Sequence, residues 1–268
     1  FVCFADPQGR CDRLAAQLRR AGHAVVLVRS GARFARLGAD EFSVRAEVPA
    51  DYSDLLHALA AASYRPEVFV HGFLLPAIPD AQIAAAQTLG LYSLLALTQA
   101  ADQHGVLAGA RIAVLTTGVC SVIGEEALAP EKATLLGWLK TMPHEYPDSH
   151  AQAIDVPSCE GAASDPDRLM EHLATELQSA DEDLVAYRRG RRWVRRFEPL
   201  QLGAADRSES LGLLRKNGVY LITGGLGGVG LELASALAER VPARLILVGR
   251  TALPPATEGL SELSGPSG

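Results

Sequence analysis

Thr223-Gly224-Gly225-Leu226-Gly227-Gly228-Val229-Gly230 is the stretch that decides the fold. It follows an apolar run, Val219–Thr223, that reads as a strand. It opens a helical pattern, Val229–Arg240, with Val229, Leu233 and Leu237 on one predicted face. A second strand pattern, Arg244–Val248, comes next. Gly224 permits a tight turn out of the strand, Gly228 lets a backbone approach a pyrophosphate with no Cβ in the way, and Gly230 allows close packing of the helix. The helix N-terminus adds N–H groups without intrahelical acceptors and a partial positive charge. A lone glycine pattern is weak, but strand, turn, helix and strand in this order supply the context a dinucleotide site requires. The whole run Thr223, Gly224, Gly225, Leu226, Gly227, Gly228, Val229, Gly230 is therefore a candidate cofactor-binding loop.

The second strand leads into Val248-Gly249-Arg250. Arg250 lies near the offset where an NAD-binding unit carries an acid for the ribose hydroxyl. An arginine there suits a 2′-phosphate instead, because its planar fork holds phosphate oxygens bidentately. Arg250 therefore points to NADP rather than NAD, against the simpler alternative of a solvated surface arginine.

Sliding the chain by about 219 residues lays Phe1–Val28 over Tyr220–Leu247, with Leu14 on Leu233, Ala15 on Ala234, Leu18 on Leu237 and Gly9 on Gly228. Both segments read as one βαβ unit. The first copy has Ala5 where the second has Gly224, Cys11 for Gly230 and Gly31 for Arg250, so it is expected to hold no dinucleotide.

The remaining pattern alternates short apolar runs with helices, the signature of a parallel α/β sheet. Strands are expected at Phe1–Ala5, Ala24–Val28, Val68–His71, Arg111–Thr116 and Gln152–Asp155. Helices are expected at Asp12–Ala21, Asp51–Ala62, Ala81–His104, Lys132–Thr141 (ending before Pro143) and Asp167–Gln178. Leu184 to Phe197 reads as an antiparallel hairpin turning at Arg189-Gly190. The predicted fold is α/β with Rossmann-like parallel sheets: a non-binding Rossmann unit followed by the opening βαβ of a second, NADP-binding one. The expected domains are 1–200 for the structural unit, 201–217 for a polar linker and 218–268 for the incomplete N-terminal part of the catalytic unit. Ala252 to Gly268 is Pro-, Gly- and Ser-rich and reads as a loop. The chain opens directly on strand residues, which suggests a cut into a longer polypeptide.

Composition narrows the function classes. The 268 residues are 48% hydrophobic and 21% charged, with a net charge of -6, which disfavours a nucleic-acid binder. Cys3, Cys11, Cys120 and Cys159 are far apart and read as reduced thiols in a cytoplasmic protein. No apolar run of membrane-spanning length is expected, and the seven histidines have no metal-ligand spacing. Six arginines within Arg188–Arg196 read as a solvated hairpin face, with contact to a carrier domain or a neighbouring module as the alternative. His71 is a core or sheet-mouth residue, and Glu125, Glu126 and Glu131 read as helix-start acids. Carbonyl reduction on such a fold needs a general acid, usually a tyrosine with a nearby lysine. The chain has no Tyr-x-x-x-Lys or Tyr-x-x-x-Asn, so no catalytic residue is assigned to it.

Together these residues resemble the ketoreductase region of type I modular polyketide synthases, within the short-chain dehydrogenase/reductase superfamily. Tyr220-Leu-Ile-Thr-Gly-Gly-Leu-Gly-Gly-Val-Gly230, Leu247-Val-Gly-Arg250 and Leu253-Pro254 look like the start of its catalytic subdomain. Phe4-Ala5-Asp6, Gln87-Thr-Leu-Gly-Leu-Tyr-Ser93, Pro130-Glu-Lys-Ala-Thr-Leu-Leu-Gly137, Pro143-His-Glu-Tyr-Pro147 and Ala186-Tyr-Arg-Arg-Gly-Arg-Arg-Trp193 look like its structural subdomain. The resemblance implies that the first unit is a truncated structural subdomain packed on the second, catalytic one. It also implies NADPH-dependent reduction of a β-ketoacyl group on an acyl carrier protein, beside neighbouring synthase domains and with no nucleic-acid or membrane partner. It implies that the serine, tyrosine, lysine and asparagine of catalysis lie beyond Gly268. The rival expectations are a catalytically inactive scaffold organising neighbouring domains and a free-standing NADP-binding regulator.

Overall fold

Val2–Ala5 (β1), Val26–Ser30 (β2), Ala35–Arg36 (β3), Glu41–Val44 (β4), Val68–Leu74 (β5), Arg111–Thr117 (β6), His150–Val156 (β7), Leu184–Arg188 (β8) and Arg191–Val194 (β9) form one sheet. Its order is β3-β4-β2-β1-β5-β6-β7-β8-β9. A computed structural model describes residues 1–78, 82–158, 166–179, 182–200 and 214–250. The chain divides into two compact units, Phe1–Phe197 and Glu198–Gly268. Cys159, the helix start at Ala81, most of the expected linker (201–213) and the tail from Ala252 lie outside the described residues.

In the first unit the strands from β4 through β8 run parallel, and only the edge strands β3 and β9 are antiparallel. Counting the parallel strands alone, the order is 3-2-1-4-5-6-7, a doubly wound sheet whose switch point falls between β1 and β5. Helices cover both faces, so β1 is buried at every position and reads as an unbroken apolar run. Arg10–Arg20 (α1) and Pro166–Glu176 (α6) cover one face, burying Leu14, Leu18 and Leu173. Pro49–Ala61 (α2), the helix Ile83–Gln87 (α3) continuing into Ser93–Gln103 (α4), and Leu135–Glu145 (α5) cover the other, burying Tyr52, Leu55, Leu97 and Trp138.

Three expectations are corrected here. The short β3 and β4 were not foreseen, because four polar-flanked residues, Glu41–Val44, carry too little pattern. Pro143 lies inside α5 rather than beyond it. It sits in the last turn, where the missing N–H removes a single helix bond. Ile83–Gln103 is long and apolar enough by length and composition to cross a membrane, contrary to expectation. Its Leu94, Leu97 and Ala101 instead lie in the core.

His71 is a core residue. Its Nε2 lies 2.7 Å from Ser93 Oγ, Ser93 Oγ lies 2.7 Å from Tyr52 Oη, and that hydroxyl donates to Ala46 O at 2.9 Å. All three side chains are fully buried, and burial pushes the imidazole pKa down to about 3. The unfolded chain takes up this proton near pH 6.5. Native stability contributed by a neutral His71 is thus complete above pH 6.5 and is lost as pH falls towards 3, at up to roughly 1.4 kcal/mol per pH unit. Urea midpoints measured between pH 6.5 and 5, above the range of most carboxylates, should fall steadily in the wild type. The slope should flatten in His71→Asn, and an equal slope in both proteins would contradict the assignment.

In the second unit, Gly218–Thr223 (β10), Gly228–Arg240 (α7) and Ala243–Val248 (β11) form a βαβ with β10 and β11 parallel. Paired residues are 24 apart in β1/β2 (Val2↔Val26) and 25 apart in β10/β11 (Gly218↔Ala243), so the two copies share one layout with a one-residue offset in register.

Candidate functional site

The loop between β10 and α7 is built by close backbone packing. Gly224 has φ +70, a left-handed conformation that glycine adopts without strain. Gly225 N–H donates to Ile222 O at 3.2 Å and to Val248 O at 3.0 Å, and Gly227 N–H donates to Gly224 O at 2.9 Å. A Cβ at Gly230 would stand 2.5 Å from Gly224 O and 2.6 Å from Gly225 Cα. Gly230 thus seats α7 against the loop itself. At Gly228 a Cβ would meet nothing within 4 Å. Gly228, Val229 and Gly230 form the first turn of α7, where N–H groups have no carbonyl one turn back.

The strands fix where this loop sits. Thr223 pairs with Val248, so Thr223, the loop and Arg250 cluster at the carboxyl ends of two parallel strands, where doubly wound sheets bind ligands. Arg250 is exposed two residues past β11. The predicted apolar face of α7 is corrected: Val229 and Leu233 are 78% and 54% exposed, and the helix packs through Gly230 and Ala234.

The first copy is closed by its own side chains. Asp6, fully buried at the end of β1, accepts N–H bonds from Gln8 (3.1 Å), Arg10 (3.2 Å) and Cys11 (2.8 Å). A carboxylate thus takes the place a phosphate would need at the N-terminus of α1. Cys11 fills the crevice at the switch point: a Cβ on Gly72 would lie 2.2 Å from its Sγ. Arg29 is a cation at the end of β2, but it is not open to a phosphate. Its guanidinium donates to both Asp12 oxygens, one at 2.8 Å, and to Glu41 Oε1 at 2.9 Å, so it is fully engaged. Asp6 stood in the quoted Phe4-Ala5-Asp6, and its position ahead of a helix was the signal available.

The carboxyl ends of the next strands are sealed too. Lys132 Nζ, buried, donates to Leu74 O and Pro76 O at 2.8 Å and to Thr117 Oγ1 at 2.7 Å, and burial lowers its pKa to about 8. Arg188 is buried, the one departure from the solvated-face expectation, since Arg189, Arg191, Arg192, Arg195 and Arg196 are exposed. Its NH groups donate to Asp155 Oδ2 (2.6 Å), Asp155 O, Tyr187 O, Cys120 O and Glu126 Oε1. Arg192 likewise holds the buried Glu176, at 2.6 and 2.8 Å. Glu126 is not a helix-start acid: it accepts N–H bonds from Val122, Ile123 and Gly124 in a turn. Those bonds, that from Ile123 foremost, bring its carboxyl pKa down to about 2. Among the described residues no group of three or more His, Cys, Asp or Glu could hold a metal.

Fold and loop define a class: α/β chains built on a doubly wound parallel sheet and a further βαβ unit, the loop glycines intact in the second unit and the loop closed over in the first. The family follows from the comparisons. Residues 2–176 match the model described as beta-ketoacyl synthase-like, N-terminal, and residues 218–266 match the KR domain. The first match spans more than half of the chain, so the chain belongs to the beta-ketoacyl synthase-like, N-terminal family, with the fold of polyketide synthase ketoreductases.

A phenolphthiocerol/phthiocerol polyketide synthase of Mycobacterium tuberculosis (strain CDC 1551 / Oshkosh) is 30% identical over 213 residues, 75% of this chain and 11% of that protein. The 6-methylsalicylic acid synthase of Aspergillus terreus (strain NIH 2624 / FGSC A1156) is 36% identical over 151 residues, 55% of this chain and 8% of that protein. This chain therefore spans about a tenth of the curated relatives it matches. Among solved structures, a multidomain adenylation, ketoreductase and pseudo Asub structure of a keto acid-selecting NRPS module matches with TM-score 0.75 and 27% identity. That match covers 94% of this chain and 21% of that one. The first ketoreductase of the tylosin PKS matches with TM-score 0.65 and 26% identity, covering 92% of this chain and 48% of that one.

Proposed function

We propose that this chain is the structural unit and the cofactor handle of a polyketide synthase ketoreductase. The parent enzyme reduces a β-ketoacyl thioester on an acyl carrier protein to the β-hydroxyacyl form with NADPH, in the cytoplasm. The observation that carries this reading is the cradle at Thr223–Gly230, where a Cβ at Gly230 would collide with the loop while Gly228 stays open. The residues fit a dinucleotide. The N–H groups of Gly228, Val229 and Gly230 would hold its pyrophosphate, and Arg250 would bind the 2′-phosphate of NADPH. Bound there, NADPH supplies the hydride. The domain division 1–200, 201–217 and 218–268 belongs to this proposal. In it, the first unit serves as a support whose own ligand crevice is filled.

A scaffold reading, in which the region organises neighbouring synthase domains without reducing anything, draws support from that filled crevice. Cofactor titration separates the two. NADPH fluorescence should rise saturably on adding the protein. Arg250→Ala should weaken NADPH roughly 10- to 100-fold, the worth of one charge-assisted phosphate contact, with NADH affinity unchanged. No saturable signal in the wild type would favour the scaffold. An equal loss for both nucleotides would remove Arg250 from the 2′-phosphate.

A further inference from the structure

The arginine run around β9 is not used by the reading above. Its members divide sharply. Arg188 and Arg192 are tied to buried acids, Arg189 pairs with Glu125, and Arg196 pairs with Glu182. Arg191 and Arg195 are exposed and meet no carboxylate among the described residues; Arg195 lies 5.1 Å over the ring of Phe197.

Register places them with a tryptophan. Arg191, Trp193 and Arg195 alternate, and Trp193 pairs with Ala186, on the sheet face opposite the one where Arg192 reaches Glu176. Trp193 and Arg195, with Ala186, line a cleft of about 420 Å³ whose far wall is Cys120, Ser121 and Val122. That wall is preorganised, because Arg188 holds Cys120 O and Asp155 holds Cys120 N–H, both at 2.9 Å. β9 is an edge strand, so its outer backbone has no strand neighbour among the described residues.

We propose that the β9 edge and this cleft form a docking surface for an acidic, extended segment of a partner protein. The segment would add to the sheet through backbone hydrogen bonds, place an apolar side chain beside Trp193, and set carboxylates against Arg191 and Arg195. Charged residues on an edge strand also discourage aggregation, and that alone accounts for arginines. It does not account for a tryptophan 39% exposed over an open cleft with a fixed wall.

The test uses the full chain and a capped heptapeptide with glutamate at positions 2 and 6, leucine at position 4 and threonine elsewhere, which sets all three on one face of a strand. Trp193 emission should shift to the blue saturably, since the other tryptophan, Trp138, is already buried. Arg191→Glu with Arg195→Glu should weaken binding by about tenfold or more, and a lysine-for-glutamate peptide should not bind. Trp193→Phe should abolish the signal. If the charge-reversed protein has a lowered melting midpoint, the same comparison is made with Arg191→Gln and Arg195→Gln. Equal binding of acidic and basic peptides, or unchanged affinity in the double variant, overturns the proposal. So does a dimer in sedimentation that the double variant dissolves, which would make the face a contact between copies. Trp193 emission already blue and quencher-resistant without peptide would also overturn it, because a segment of the chain itself would then fill the cleft.

Discussion

Gly228→Ala should abolish measurable NADPH binding while leaving the protein as stable as the wild type, and Gly230→Ala should abolish binding and damage the second unit as well. The two glycines differ in what surrounds them. A methyl at 228 meets nothing within 4 Å, so the empty fold accepts it. In the proposed reading it would strike the pyrophosphate drawn against the first turn of α7. At 230 a methyl would stand 2.5 Å from Gly224 O and 2.6 Å from Gly225 Cα, and backbone cannot yield there without moving the helix away from the loop. Losing two N–H contacts to a charged phosphate at roughly 1.5–3 kcal/mol each weakens affinity more than a hundredfold. NADPH fluorescence titration measures affinity, and hydrogen exchange of the amides from 218 to 250 measures order. Retained affinity in Gly228→Ala would mean that the pyrophosphate does not lie on this turn. A loss of exchange protection in Gly228→Ala as large as in Gly230→Ala would mean that both glycines are architectural.

Much of the parallel sheet and the whole glycine loop could be read from residue pattern, because each strand, helix and turn is encoded over a few neighbouring residues even though Val2 pairs with Val26 and Phe69. Alternating apolar runs and helices imply crossovers, and Gly224, Gly228 and Gly230 sit at the spacing a phosphate turn needs. The packing face of α7 was misread for a physical reason. Periodicity weighs bulk, so it selected Val229 and Leu233, whereas tight seating selects the smallest side chains, Gly230 and Ala234. Closure of the first copy was half legible. Ala5 and Cys11 stood where glycines were needed, but the decisive group is Asp6, whose carboxylate fills three N–H bonds only once α1 has formed over it. Arg188 was illegible, because its partners Asp155 and Glu126 are 33 and 62 residues away and the run around it looks uniformly solvated.

That concealed arginine carries the other large effect. Arg188→Ala should destabilise the first unit by about 3–5 kcal/mol, the usual cost of removing one partner from a buried ion pair. Asp155 is fully buried and would be left without its cation, and its Oδ1 already has no hydrogen-bond partner. Glu126 would keep its turn N–H bonds but lose Arg188 Nε. The carbonyls of Cys120, Asp155 and Tyr187 would also lose donors. For a unit of this size such a loss lowers the melting midpoint by roughly 10 °C. Arg188→Lys should recover little, because one ammonium brings three donors to a site that uses five in a fixed fork. Arg188→Met combined with Asp155→Asn should lose less than Arg188→Met alone, since no unpaired carboxylate remains at 155. Urea unfolding of the four variants decides the matter. If Arg188→Ala and Arg188→Lys both stay within about 1 kcal/mol of the wild type, the buried cluster does not hold the loop after β6 to the sheet.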